Sequence, residues 1–221
     1  MVLNVYIKEP QKQAEACIIW MHGLGADASD MSGLAQQLLL NELAIRHVFL
    51  DAPVRAVTIN NGMHMRAWYD IYDFGFTQKE DRDGILNSEA EILKIVHAEI
   101  EKGIPSNKIW LAGFSQGGAM ALHTALKLTM PFGGIIALSA YLPLAAECRP
   151  VLADNTPIFF AYGTYDSIVL PTWSKLTIDW LTAKGYANLT FYEYPMEHAI
   201  CMEEVRHLSQ WLTNLLKGES E

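Results

Sequence analysis

The chain is short of cysteine, has no dense basic cluster, and lacks an unbroken apolar segment near its start. Each shortage removes a class of protein. Cys17, Cys148 and Cys201 are odd in number and show no paired spacing, so a disulfide framework is not expected and a reducing, cytoplasmic setting fits. With 16 basic against 25 acidic residues and a formal charge of −9, nothing is available to displace counterions from a phosphate backbone. No nucleic-acid partner is expected. Lys8, Glu9, Lys12 and Glu15 fall where a secretory signal would carry its apolar core. The uncharged run from Leu128 to Ala146 raises the question of a membrane span, but Pro131, Gly133, Gly134 and Pro143 break it, and no stable membrane insertion is expected. His198-Ala199-Ile200-Cys201 has a ligand-like spacing without a second pair, and no H-E-x-x-H occurs, so no metal is expected. No linker, repeat or low-complexity tract divides the chain. Residues 1–216 therefore read as one domain, followed by a polar tail over 217–221.

What is present is enough for a large core: 221 residues, of which 51% are hydrophobic and 19% charged. Short apolar runs predict strands over Ala16–Met21, Val48–Leu50, Ile109–Ala112, Ile135–Leu138, Ile158–Tyr162 and Leu189–Tyr194. Helical patterns lie between them at Asp30–Leu43, Ile85–Ile100, Gln116–Leu128, Thr172–Ala183 and Met202–Leu216. Unbroken apolar strands imply a sheet covered on both faces, and the alternation implies parallel strands joined by right-handed crossovers. The fold class is α/β, with chemistry expected at the carboxyl ends of the strands.

One such end stands out. Gly113-Phe114-Ser115-Gln116-Gly117-Gly118 follows the strand Ile109–Ala112 and opens a helix, which is the pattern of a nucleophile elbow. A serine held above a sheet on a strained turn needs small neighbours, which Gly113 and Gly117 supply. It also needs a base. His97, His123 and His207 fall inside helical patterns, whereas His198 follows the strand Leu189–Tyr194 in a short loop before the last helix. For the acid that orients the base, Asp166 follows the strand Ile158–Tyr162; Asp154 precedes that strand, Asp179 is helical, and Glu203 and Glu204 open the last helix. The chain order Ser115, Asp166, His198 is that of an α/β-hydrolase. Two oxyanion donors are expected: the Gln116 N–H, from the elbow itself, and the Leu24 N–H, from His22-Gly23-Leu24-Gly25-Ala26-Asp27 after the first strand. The alternative for that loop is a plain exit turn.

Residues 52–84 fit no regular element. Their Met63, Met65, Trp68, Tyr69, Tyr72, Phe74 and Phe76, together with Ile168, Val169 and Leu170 beyond the acid, suit the wall of an acyl-binding groove. The same side chains would equally fill core around a β-hairpin. Exposed aromatics in this segment would also suit a homodimer contact.

Through Trp20-Met21-His22-Gly23-Leu24-Gly25, the elbow hexapeptide and Glu197-His198, the sequence resembles the acyl-protein thioesterase, carboxylesterase and lysophospholipase family of small α/β-hydrolases, over nearly its whole length. The resemblance implies Ser115 as nucleophile, His198 as base, Asp166 as its partner, Leu24 and Gln116 N–H groups as oxyanion hole, a groove for acyl chains, and no cofactor. It implies hydrolysis of carboxylic esters or thioesters through an acyl-enzyme. Within the family, a protein depalmitoylase and a lysophospholipase share this chemistry, with a lipid ester or S-acylated protein as substrate. Outside it, a silent relative that merely binds a hydrophobic ligand is the alternative. Three positions depart from the family pattern: Ala26 stands inserted before Asp27, Glu197 precedes His198 where glycine is usual, and Ser167 follows Asp166 where proline is common. A carboxylate at position 197 that faced the imidazole would raise its pKa.

Overall fold

In a strand buried on both sides, alternate residues must serve two different cores, and the apolar runs of this chain do so. The computed structural model describes residues 3–38, 40, 42–73 and 79–218. In chain order its elements are β1 (Asn4–Lys8), β2 (Ala16–Met21), α1 (Ala28–Gln37), β3 (Ile45–Asp51), β4 (Val54–Val57), β5 (Met63–Arg66), α2 (Arg82–Glu101), β6 (Ile109–Phe114), α3 (Gln116–Ala125), β7 (Gly134–Leu138), β8 (Ile158–Gly163), α4 (Pro171–Ala183), β9 (Leu189–Tyr194) and α5 (Met202–Lys217). Seven strands form one sheet in the order β1-β3-β2-β6-β7-β8-β9. Only β1 runs antiparallel to its neighbour. From β2, Cys17, Ile19 and Met21 point into the core shared with α2, α3 and α4, while Ala16, Ile18 and Trp20 point into the core shared with α1 and α5. The expected α/β-hydrolase architecture, helices on both faces of a mostly parallel sheet, is present.

The structure extends and trims the expected elements. The short run Val48–Leu50 is the centre of the longer β3, and β1, an exposed edge strand, was not expected. Helix α1 stops at Gln37 instead of Leu43. There the Ser209 hydroxyl of α5 lies 2.7 Å from the Leu38 carbonyl and 2.8 Å from the Val205 carbonyl of its own helix, and its one proton is shared between a tertiary cap and that helix. The uncharged stretch 128–146 contains β7 and its flanking loops, and no helix among the described residues is long and apolar enough to cross a membrane. Residues 54–66 form the β4–β5 hairpin, paired from Val54↔Arg66 to Val57↔Met63. Strands β2, β6, β8 and β9, with β7 between the second and third, direct their carboxyl ends with His22, Ser115, Asp166 and His198 to one edge of the sheet.

Candidate active site

Ser115 sits between β6 and α3 with φ 54° and ψ −121°, a left-handed conformation that a non-glycine residue adopts only when its surroundings impose it. Its N–H donates to the Leu138 carbonyl at 2.8 Å. The flanking glycines are required by contact. A Cβ on Gly113 would strike the backbone of Gly117, and a Cβ on Gly117 would strike the Met21 and His22 carbonyls, so β2 and α3 approach backbone to backbone.

Asp166 and His198 converge on this serine. His198 Nε2 lies 2.9 Å from Ser115 Oγ, and Nδ1 lies 2.7 Å from Asp166 Oδ2. The other carboxylate oxygen, Oδ1, accepts from the N–H groups of Ile168 and Val169 at 2.9 Å each. These donors come from the turn after β8 and hold one oxygen of the buried acid locally, while His198 holds the other. An ionised carboxylate can only accept, which puts the imidazole proton on Nδ1 and leaves Nε2 free to take the hydroxyl proton. The Phe114 ring packs 4.7 Å from the imidazole and closes its apolar side.

Gln116 contributes more than was expected of it. Its Oε1 accepts from the Trp68 N–H at 2.9 Å, and its Nε2 donates to the Tyr69 carbonyl at 2.8 Å, which ties the segment after the hairpin to the start of α3. The backbone N–H groups of Gln116 and Leu24 find no acceptor among the described residues. Two unpaired donors beside a serine hydroxyl provide what a developing oxyanion needs.

Two hollows meet at Ser115. A cavity of about 180 Å³ is lined by Ser115, Gln116, Ile59, Tyr69, Ile71 and Val169 among others. An open groove of about 620 Å³ runs past His198, Ala199 and Ile200 toward α1. Leu24, Ile168 and Ser115 border both. Ile168 and Val169 therefore stand where an acyl wall was expected, but the aromatic wall is made differently. Trp68 is fully buried behind the site, its Nε1 donating to the His22 carbonyl at 2.9 Å, and it lines neither hollow. Trp68 is core, because its indole and backbone N–H groups both find acceptors only by turning inward. Met65 is half-buried beside Gly25 and Asn60, and Tyr72 packs under Lys79; neither lines the cavity. Phe74 and Phe76 lie outside the described residues. Of the side chains expected there from residues 52–84, Tyr69 does line the cavity, and Ile71, Ile59 and Tyr141 line it with Tyr69. Glu197 is exposed. Among the described residues no three His, Cys, Asp or Glu side chains are grouped as metal ligands.

Comparison with known proteins agrees with this geometry. The sequence model of the Phospholipase/Carboxylesterase family matches residues 3–216. Acyl-protein thioesterase 1 of Neurospora crassa is 36% identical over 214 residues, 91% of this chain and 87% of that protein. Acyl-protein thioesterase 1 of Schizosaccharomyces pombe is 38% identical over 182 residues, 81% of each chain. Among solved structures, Arabidopsis thaliana SOBER1 superposes with a TM-score of 0.84 at 29% identity, over 92% of this chain and all of that one. Zea mays acyl-protein thioesterase 2 gives 0.81 at 27%, over 96% of this chain and 99% of that one. With a family match across nearly its full length and α/β-hydrolase neighbours throughout, the chain belongs to the phospholipase/carboxylesterase family of serine hydrolases.

Proposed function

We propose that this protein hydrolyses carboxylic esters and thioesters of short-to-medium acyl chains through an acyl-enzyme on Ser115. The observation that carries the reading is the continuous hydrogen-bonded line from Ser115 Oγ through His198 to Asp166. Ser115 Oγ attacks the carbonyl carbon while its proton passes to His198 Nε2, and the carbonyl electron pair moves onto oxygen beside the Leu24 and Gln116 N–H groups. As the carbonyl re-forms, the bond to the leaving alcohol or thiol breaks and that group takes the proton from Nε2. A water molecule then repeats the sequence on the acyl-enzyme, giving the free acid and restoring Ser115. Asp166 holds the imidazole in the required tautomer throughout. The cycle balances without metal or cofactor.

Sidedness follows from the proton. His198 must protonate the leaving group, and it borders the 620 Å³ groove but not the 180 Å³ cavity. The leaving group therefore occupies the groove and the acyl chain the cavity. The wide groove supports a second reading within the same chemistry, in which the leaving group is bulky, as in an S-acylated protein or a lysophospholipid. The reading extends to one catalytic domain over residues 1–216 acting in the cytoplasm, where its three free cysteines, two of them buried, would remain reduced.

A fluorophosphonate probe tests the assignment: it labels Ser115 in the wild type and fails to label Ser115→Ala, whose kcat falls about 10⁶-fold. A p-nitrophenyl ester series from acetate to palmitate tests the cavity. kcat/KM climbs by up to about fourfold per methylene until the space fills and then falls; a flat series overturns the cavity assignment.

A further inference from the structure

We propose that His22 is a positioning residue that aims the Leu24 N–H at the oxyanion, an inference that rests on the serine-hydrolase reading above. His22 is fully buried at the end of β2. Its Nε2 lies 3.0 Å from the Ala52 backbone nitrogen, and its Nδ1 lies 2.7 Å from the Gly23 carbonyl oxygen. The Ala52 N–H can only donate, so Nε2 must be unprotonated and accept. The ring proton is then on Nδ1 and is donated to the Gly23 carbonyl. Only the neutral Nδ1–H tautomer satisfies both partners, and burial, which lowers the pKa of His22, works in the same direction.

The Gly23 carbonyl and the Leu24 N–H are the two ends of one planar trans peptide and point in opposite directions. Fixing the direction of the carbonyl fixes the direction of the donor. Gly23 leaves this peptide freer to rotate than another residue would, and local chain geometry holds it only through the turn from Gly23 to Ala26, with Gly25 at φ 75°. Other parts of the loop are anchored separately: Trp68 Nε1 holds the His22 carbonyl, and the Gly25 N–H donates to the Arg66 carbonyl at 2.9 Å. The Ala26 N–H, at 3.2 Å, is a weaker second donor to the Gly23 carbonyl. Among the described residues His22 is the one side chain that grips the peptide carrying the oxyanion donor.

The two bonds of His22 can be separated by substitution. His22→Asn places an amide nitrogen near the position of Nδ1 and keeps the bond to Gly23; His22→Gln reaches toward Ala52 instead; His22→Ala keeps neither. With p-nitrophenyl butyrate, kcat is expected to fall about 10²-fold in His22→Ala and His22→Gln, the scale of losing one oxyanion donor, with KM changed by less than about threefold. His22→Asn should recover most of that loss, and the affinity of an alkyl trifluoromethyl ketone should track kcat/KM across the set. Variants that fold and share one kcat, whether reduced or equal to wild type, overturn the proposal. A readout free of variants is ¹⁵N NMR of the imidazole in the wild-type enzyme. A neutral Nδ1–H ring between pH 6 and pH 8 supports the clamp, and a ring protonated on Nε2 overturns it. Absence of fluorophosphonate labelling at Ser115 in the wild type would instead sink the serine-hydrolase reading, so the two failures are distinct.

Discussion

Two carboxyl groups are buried within reach of the chain segment that carries His198, and the protein treats them in opposite ways. Asp166 receives three donors, the His198 Nδ1–H and the N–H groups of Ile168 and Val169. Glu204, in the first turn of α5, is fully buried, and among the described residues neither of its carboxyl oxygens has a hydrogen-bond partner. Burial pushes its pKa up to about 8, so near neutrality it is largely protonated and neutral. Depth alone thus gives an inert acid. Depth with convergent donors gives a carboxylate that can orient an imidazole and stabilise it when it carries the proton.

The sharpest test of that contrast is catalytic. Asp166→Asn should cost about 10⁴-fold in kcat, since the amide can present its N–H to Nδ1 and impose the wrong tautomer, whereas Glu204→Gln should leave kcat within about twofold. Initial rates on one soluble ester suffice, and comparable losses in the two variants would erase the distinction.

The next effect is on stability and runs the other way. A carboxyl whose folded pKa is near 8 against an ordinary 4.5 favours the folded state below about pH 4.5, and that contribution is lost as pH rises to about 8. Glu204→Gln removes the titration. Its melting temperature should therefore gain on the wild type progressively between pH 5 and pH 8, by an amount corresponding to a few kcal/mol. Parallel melting curves against pH for the two proteins would show that Glu204 does not carry this penalty. A third carboxyl, Glu197, adjoins His198 in sequence but is exposed, so Glu197→Gln should leave the pH profile of kcat/KM unmoved. A displaced profile would mean that adjacency in sequence, without burial, is enough to couple a carboxylate to the base.

The convergence of Ser115, Asp166 and His198 was legible because their positions follow from strand ends. Ser115, Asp166 and His198 each occupy a short loop after an apolar run, and the parallel sheet brings such loops to one edge. The lining of the cavity beside Ser115 was not legible from the same kind of pattern. Trp68 and Tyr69 are neighbours in the chain, yet one fills the core and the other borders the cavity. What decides between them is the Gln116 side chain, 48 residues beyond Trp68, which binds the backbone of both. The early end of α1 has a similar origin in the Ser209 hydroxyl. β1 escaped notice because all five of its residues are exposed, and only its pairing with β3 makes it a strand. Local pattern carries the elements that bury apolar surface; it does not carry hydrogen bonds made across the fold.

The double duty of Gln116 has a practical consequence for anyone recutting the specificity of this enzyme. In the proposed mechanism this residue supplies a backbone N–H to the oxyanion, and its side chain grips Tyr69. Reshaping the pocket at Tyr69 therefore disturbs the catalytic apparatus along with the fit. Ile59 and Ile71 border the same cavity, and their side chains lie outside that linkage. If the acyl chain fills this cavity as proposed, a library at these two positions should vary chain-length preference while sparing turnover.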